Sequence, residues 1–241
     1  MQIQDFTKWG LLAFVMAFTF NRAAISSTEN HTTVLATTYI KPDSTQWFLY
    51  DSLQLNLKGL SKEAYNYALS GYNKLLQAGK IKNDQTLTII DFSLPSTAKR
   101  LFVIDLKLGE VLFNTLVSHG KNSGKAIASQ FSNKANSYKS SLGFYITSNT
   151  YIGKHGLSLR LEGEEKGIND NALHRGIVMH CADYVTEDLI NSQGYIGRSE
   201  GCPAVPPQEH EAIINTIKEG SCLFIYCPVK QYLAKSRLIE G

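Results

Sequence analysis

Hydrophobic and polar positions along the chain fall into two regimes. Between Leu53 and Gly79 the apolar residues keep a helical period. Tyr65, Ala68, Leu69, Tyr72, Leu75 and Leu76 form an i, i+3, i+4, i+7 stripe. Ser61 is placed to cap that helix, Glu63 lies in its first turn, and Gly79 can close it. From Thr86 the pattern changes to short apolar runs of strand length. Thr86–Phe92, Leu101–Lys107 and Val111–Ser118 read as strands, with Gly109 marking a tight hairpin between the last two. Gly143–Ser148, Ser158–Glu162, Gly176–Cys181 and Cys222–Cys227 are further strands, and Pro207–Glu219 reads as a helix. Serine and glycine between Gly120 and Gly143 predict one long ordered loop.

The N-terminus has a different pattern. Lys8 precedes an almost wholly apolar run from Trp9 to Phe20, and Ala24-Ile25-Ser26 offers a small-x-small cleavage site. This predicts an export signal over residues 1–26, with an uncleaved anchor helix as the alternative. A polar, Thr- and Ser-rich stretch follows and reads as a linker. Beyond the apolar run, no segment approaches the roughly 20 residues a spanning helix needs.

Composition narrows the class. Hydrophobic residues make up 43% of the 241 and charged residues 19%, which supports a packed core and excludes disorder as the dominant state. A net charge of +3 is too mild to predict nucleic-acid binding. Four cysteines in this length do not make a disulfide scaffold, and the absence of a C-x-x-C pair removes support for a zinc ribbon. Cys222 and Cys227 on one strand would face opposite sides about 17 Å apart, too far for a disulfide.

The chemistry concentrates between Ile177 and Val205. His180 stands at a strand end, and Arg198-Ser199-Glu200-Gly201-Cys202-Pro203 follows. A cysteine with an upstream histidine is the raw material of a thiol nucleophile. Pro203 forces an extended backbone on Cys202, so a helix N-terminus is not the expected activator. That leaves His180 as the partner, holding the thiolate as an ion pair and then protonating the leaving amine. The amides of Gly201 and Cys202 can converge on an oxyanion, and Ser199 can brace the turn or orient the imidazole. By spacing alone, Cys202 reads more readily as a small buried residue in a turn, and His180 as a satisfied histidine.

Further motifs tip this balance. They are Asp91-Phe92, Arg100-Leu101-Phe102-Val103-Ile104-Asp105, Val117-Ser118-His119-Gly120-Lys121-Asn122-Ser123-Gly124 and Ser140-Ser141-Leu142-Gly143-Phe144-Tyr145. Gly153-Lys154-His155-Gly156, Lys166-Gly167-Ile168-Asn169-Asp170-Asn171-Ala172 and Gly201-Cys202-Pro203-Ala204-Val205-Pro206 continue the series. With these, residues 86 to 228 resemble the murein L,D-transpeptidase catalytic-domain family of bacterial cell-wall enzymes, nearest its Bacteroidetes-like branch. The resemblance implies a mainly β fold, a mixed-sheet sandwich or flattened barrel, with an α-helical N-terminal extension. Together with the patterns above, the expected division is a signal (1–26), a linker (27–52), a helical extension (53–83), the catalytic domain (84–230) and a C-terminal tail (231–241). The resemblance implies attack by Cys202 on a peptidoglycan tetrapeptide stem, release of D-alanine, and transfer of the acyl group to an amine.

No metal or organic cofactor belongs to that chemistry, and carbapenem-like β-lactams become expected covalent inhibitors. The expected location is the periplasm or cell wall, with the membrane reached only through an uncleaved signal. Water as acceptor would make the chain an L,D-carboxypeptidase or endopeptidase; a non-catalytic wall-binding protein is the third reading. Arg198, His155 and Arg160 are the candidates to contact stem carboxylates. The chain departs from the commoner signature at Glu200, where histidine is usual, and at Pro203-Ala204. Glu200 is expected to point outward and pair with Arg198. His119 is expected to fix its loop, Cys181 to lie in the core, and His174 and His210 to face solvent.

Overall fold

The computed structural model describes residues 44–239. The expected export signal and most of the expected linker lie outside them. In chain order the elements are α1 (Ser44–Ser52), α2 (Lys62–Gln77), β1 (Thr86–Asp91), β2 (Leu101–Asp105), β3 (Glu110–Thr115), β4 (Gly143–Gly153) and β5 (Gly156–Gly163). Then come β6 (Val178–Cys181), α3 (Glu187–Gln193), β7 (Ala204–Val205), α4 (His210–Ile217), β8 (Cys222–Tyr226) and α5 (Lys230–Leu233). The fold is mainly β, as expected. The eight strands make one mixed sheet in the order β3-β2-β1-β8-β4-β5-β6-β7. The β1–β8 and β6–β7 pairs are parallel; the others are antiparallel.

Strand composition sets position in the sheet. β1, β2 and β8 are buried at every residue, which is what near-continuous apolar runs require. β3, at the edge, has exposed and partly buried positions. The β2–β3 turn closes on Asp105, whose carboxylate accepts the N–H groups of Lys107 and Leu108, each at 2.8 Å. β4 continues to Gly153 rather than ending at Ser148. Its first five residues are buried, and its second half pairs with β5 in a largely exposed hairpin.

α2 starts where its cap predicts: Ser61 Oγ accepts the Ala64 N–H at 3.1 Å. Its stripe is buried against the sheet. A Cβ on Gly71 would lie 2.1 Å from the Phe144 ring, so only glycine lets the helix approach β4 this closely. Tyr65 and Tyr72 are fully buried, and their hydroxyls donate to the carbonyls of Gln46 and Asp84 at 2.5 and 2.7 Å. Residues 53–83 are therefore not an appendage; α2 shares one core with the sheet. The expected linker ends in helix α1. Residues 231–239 are likewise part of the core, with Tyr232, Ser236 and Ile239 buried. Among the described residues, no helix is long and apolar enough to cross a membrane.

Between β3 and β4 the chain is held by polar side chains instead of a ladder. The Gly120 N–H donates to Ser140 Oγ and the Ser140 N–H to Ser123 Oγ, both at 3.0 Å. The Asn122 side-chain amide donates to the Ser137 carbonyl, also at 3.0 Å. The Ser- and Gly-rich composition is thus used to build a fixed loop, which docks on the turn carrying Cys202.

Candidate active site

His180 lies on β6, and Cys202 lies two residues before β7. The parallel register pairs His180 with Ala204 and Cys181 with Val205. Cys202 is therefore level with Val178, and its Sγ accepts the Val178 N–H at 3.5 Å. Val178 stands two residues before His180 on β6, about 7 Å along the strand. The register thus brings the turn that carries the thiol alongside the strand that carries the imidazole. The other polar neighbour of the thiol is the Gly176 carbonyl, at 3.7 Å. Among the described residues, no hydrogen bond joins the thiol to the imidazole.

The protonation of His180 follows from its partner. Its Nδ1 lies 2.7 Å from the Cys181 carbonyl oxygen, which can only accept, so Nδ1 carries the proton. The Nε2 lone pair is left as a base. Burial holds the imidazole below its ordinary value of 6.5; the Cys181 carbonyl opposes this, and the charges of His155 and Lys154 reinforce it. Burial also pushes the Cys202 thiol up. The Val178 N–H and Arg175 pull it down, Glu200 raises it, and Lys154 lowers it. Both shifts favour a neutral thiol beside a neutral imidazole. Burial thus works against both charges of the expected resting ion pair.

The turn around Cys202 is pinned by hydroxyls. The Gly201 N–H donates to Ser199 Oγ at 3.0 Å, and the Ser199 hydroxyl donates to the Cys202 carbonyl at 2.6 Å. Ser140 Oγ donates to the Gly201 carbonyl at 3.1 Å. Ser199 therefore braces the turn and does not orient the imidazole. The Gly201 amide already has a partner, which corrects its expected role in an oxyanion site. The Cys202 N–H has no partner among the described residues and is the remaining backbone donor beside the thiol.

The other predicted residues divide. His155 is exposed at the β4–β5 turn, and its ring stacks on His180 at 4.6 Å. Arg160 on β5 is in register with Val178 and lies over the Tyr151 ring at 4.6 Å, so it flanks the site. Arg198 is committed elsewhere. Its Nη1 donates to the Gly124 and Lys121 carbonyls at 3.1 and 3.3 Å, which makes it a loop clamp. Glu200 points outward as expected, but its partner is Lys121 at 3.0 Å, not Arg198. His119 fixes its loop: it accepts from Arg100 Nη2 at 2.8 Å and donates from Nε2 to the Gly124 carbonyl at 3.3 Å. His174 is exposed. His210 is half-buried, with Nδ1 donating to the Pro207 carbonyl at 2.9 Å, so it does not simply face solvent. Cys181 is not a core residue; it is half-buried, and its thiol donates to the His155 carbonyl at 3.1 Å.

Arg175 escapes a reading of the sequence. It stands just before β6, and no spacing or motif marks it. Its guanidinium donates to the Ser132 and Lys139 carbonyls at 2.8 and 2.7 Å. It also donates to the hydroxyls of Ser141 and Ser137 at 2.5 and 3.2 Å.

A thiol in a braced turn, with an imidazole on the neighbouring strand, is a constellation suited to a thiol acyltransferase or hydrolase. The family model of the L,D-transpeptidase catalytic domain matches residues 56–226, and the chain belongs to that family of enzymes. The match takes in α2, in keeping with its place in the core. Solved structures with similarity include an L,D-transpeptidase from Mycobacterium smegmatis, at 16% identity over 59% of each chain and a TM-score of 0.37. L,D-transpeptidase 3 from Mycobacterium tuberculosis, in complex with a faropenem-derived adduct, is 11% identical over 59% of this chain and 60% of that one, with a TM-score of 0.38. An L,D-transpeptidase from Xylanimonas cellulosilytica is 14% identical over 69% and 81%, with a TM-score of 0.34. The chain thus spans 59% of the length of the first of these. No curated protein matches the chain.

Proposed function

We propose that the chain is a cysteine-dependent murein L,D-transpeptidase acting on the tetrapeptide stems of peptidoglycan. The observation that carries this reading is the β6–β7 register. It brings the turn that carries the Cys202 thiol alongside the strand that carries His180, whose Nδ1 proton is committed to the Cys181 carbonyl and whose Nε2 lone pair is free. In this reading Nε2 takes the thiol proton as sulfur attacks the carbonyl between the L- and D-centres of the stem. Both groups are neutral at rest, so the proton moves with the attack. Hydrogen bonds of this kind are often long in the free enzyme and tighten when substrate binds.

The Cys202 N–H is placed to donate to the developing oxyanion. Collapse breaks the C–N bond, and the D-alanine amine leaves with the proton from His180. An amine of a second stem then attacks the thioester, loses its proton to His180, and returns the thiol. This chemistry requires no metal or organic cofactor. A carbapenem-like β-lactam, as a strained acyl donor, would acylate the same sulfur. The expected export signal supports placing this reaction in the periplasm or at the cell wall.

The test uses the chain from about Ser27 and a Cys202→Ala variant. Each is incubated with a disaccharide-tetrapeptide, with and without an amine acceptor, and followed by mass spectrometry. Cys202-dependent loss of D-alanine with cross-linked dimer is the expected result. Tripeptide alone, whatever the acceptor, would replace the proposal with a carboxypeptidase. No turnover and no acyl-enzyme would overturn it.

A further inference from the structure

We propose that Arg175 is the positioning residue of the reactive turn: its guanidinium locks the loop between β3 and β4 against Gly201 and supplies a fixed positive charge beside the Cys202 sulfur. The geometry runs through Gly201. A Cβ there would lie 3.3 Å from Arg175 Nη2 and 2.9 Å from the Lys139 carbonyl oxygen, to which Nη2 itself donates. Gly201 also has a φ of +131°, outside the range side chains favour. The space beside the turn is thus filled by a guanidinium and its acceptor.

The main chain converges on the same point. Arg175 leads directly into Gly176 and Val178, the two residues whose backbone groups touch the Cys202 sulfur. Four hydrogen bonds to Ser132, Ser137, Lys139 and Ser141 hold the guanidinium in place. A planar fork can make such a set; the point charge of a lysine cannot.

The other charged and titratable groups around the thiol are differently placed. Lys154 is exposed on the β4–β5 turn, Glu200 is exposed on the turn itself, and Tyr184 follows β6. His180, on β6, is lowered by its burial. Arg175 is half-buried, where water screens a charge less, and an arginine stays protonated throughout the working pH range. It is also the first of the charges that lower the thiol toward its anion. An anchored cation therefore serves a sulfur whose hydrogen-bond neighbours are the backbone groups of Val178 and Gly176.

The test needs no cell-wall substrate, so it stands apart from the proposed reaction. Iodoacetamide alkylation of Cys202 is followed on its own peptide by mass spectrometry, against pH, in the wild type, Arg175→Gln and Arg175→Lys. The Gln variant is expected to react roughly tenfold more slowly near pH 7, with its profile moved to higher pH. The Lys variant keeps the charge, so its profile stays near that of the wild type. Its missing fork shows instead as faster amide hydrogen exchange over residues 132–141. An unmoved profile in a folded Gln variant overturns the proposal. So does an equal displacement in Gln and Lys, which would leave Arg175 a purely structural role. Should the Gln variant fail to fold, a folded Lys variant that has lost the reactivity of Cys202 overturns it alone.

Discussion

The ring of His155 lies stacked on the ring of His180, with 4.6 Å between centroids and 24° between planes. The β4–β5 turn that carries His155 is tied down from below, because the Cys181 thiol donates to the His155 carbonyl. The stack therefore covers the candidate base on its solvent side, and its charge adds to the burial that depresses His180. A base acts when neutral, so a depressed imidazole keeps the enzyme active to lower pH than an ordinary histidine would. His155→Ala is expected to readmit water and raise His180 toward 6.5. Activity then falls several-fold near pH 5.5 and changes little near pH 8. The acid limb of kcat/KM against pH is the measurement; an acid limb that stays in place would show that the stack does not tune the base.

A second imidazole governs stability. His119 is fully buried, and its value is pushed down to about 4, first by burial and then by the Arg100 guanidinium beside it. Its pKa in the unfolded chain is near 6.5, so the unfolded chain binds this proton more readily. The stability that neutral His119 contributes is present in full above pH 6.5 and is lost as pH falls toward about 4. At about 1.4 kcal/mol per pKa unit, the loss across that window is on the order of 3 kcal/mol. Urea unfolding of the wild type and His119→Gln at several pH values would show it. The variant should be the less stable at pH 7, with the gap closing by pH 4.

Much of this arrangement is legible in the sequence, and what is not has a physical reason. The α2 stripe and the strands β1, β2 and β8 announce themselves because apolar residues recur at one period over a whole element. Residue types and spacing leave Cys202 and His180 open, and only the further motifs and the resemblance they carry single the two out. β7 is only two residues long, too short for any period to show, and yet its register places the thiol. Arg198 looks like a free cation in the sequence, but its acceptors are the carbonyls of Gly124 and Lys121, which no side-chain pattern reveals. The same holds for Arg175: two of its four acceptors are backbone oxygens of a distant loop. The lowering of His180 and the raising of Cys202 are set first by burial, which depends on packing from several elements at once.

The buried carboxylate of Glu165 ties the C-terminal residues to the sheet. It accepts the Phe144 N–H at 2.8 Å, the Tyr232 hydroxyl at 3.3 Å and the Ser236 hydroxyl. Burial nevertheless raises it above 4.5, so the folded protein binds this proton more tightly than the unfolded chain does. Its contribution is full at low pH and declines as pH rises through the folded value. Glu165→Gln keeps the shape, with the amide oxygen accepting from Phe144 and the amide nitrogen donating to a hydroxyl. The variant is expected to gain stability relative to the wild type as pH rises from 4 to 8. Thermal or urea unfolding across that range checks the sign, and a growing loss with pH would refute it.

Gly201→Ala is the sharpest probe of the turn. The added methyl would meet the Lys139 carbonyl oxygen at 2.9 Å, Ile177 Cδ1 at 3.2 Å and Arg175 Nη2 at 3.3 Å, on a backbone with φ of +131°. Two of these neighbours are held by their own hydrogen bonds, so the turn must move instead. Movement there shifts both the Cys202 thiol and its free N–H. Backbone strain of this kind costs roughly 1–3 kcal/mol. A displaced nucleophile and donor are expected to cost about a hundredfold in kcat/KM. The fold should survive, because the core strands do not depend on this contact. Unfolding curves recorded beside stem turnover separate the two effects. Turnover within twofold of the wild type would mean that the turn has slack, and that neither the thiol nor its N–H is held to the degree these contacts imply.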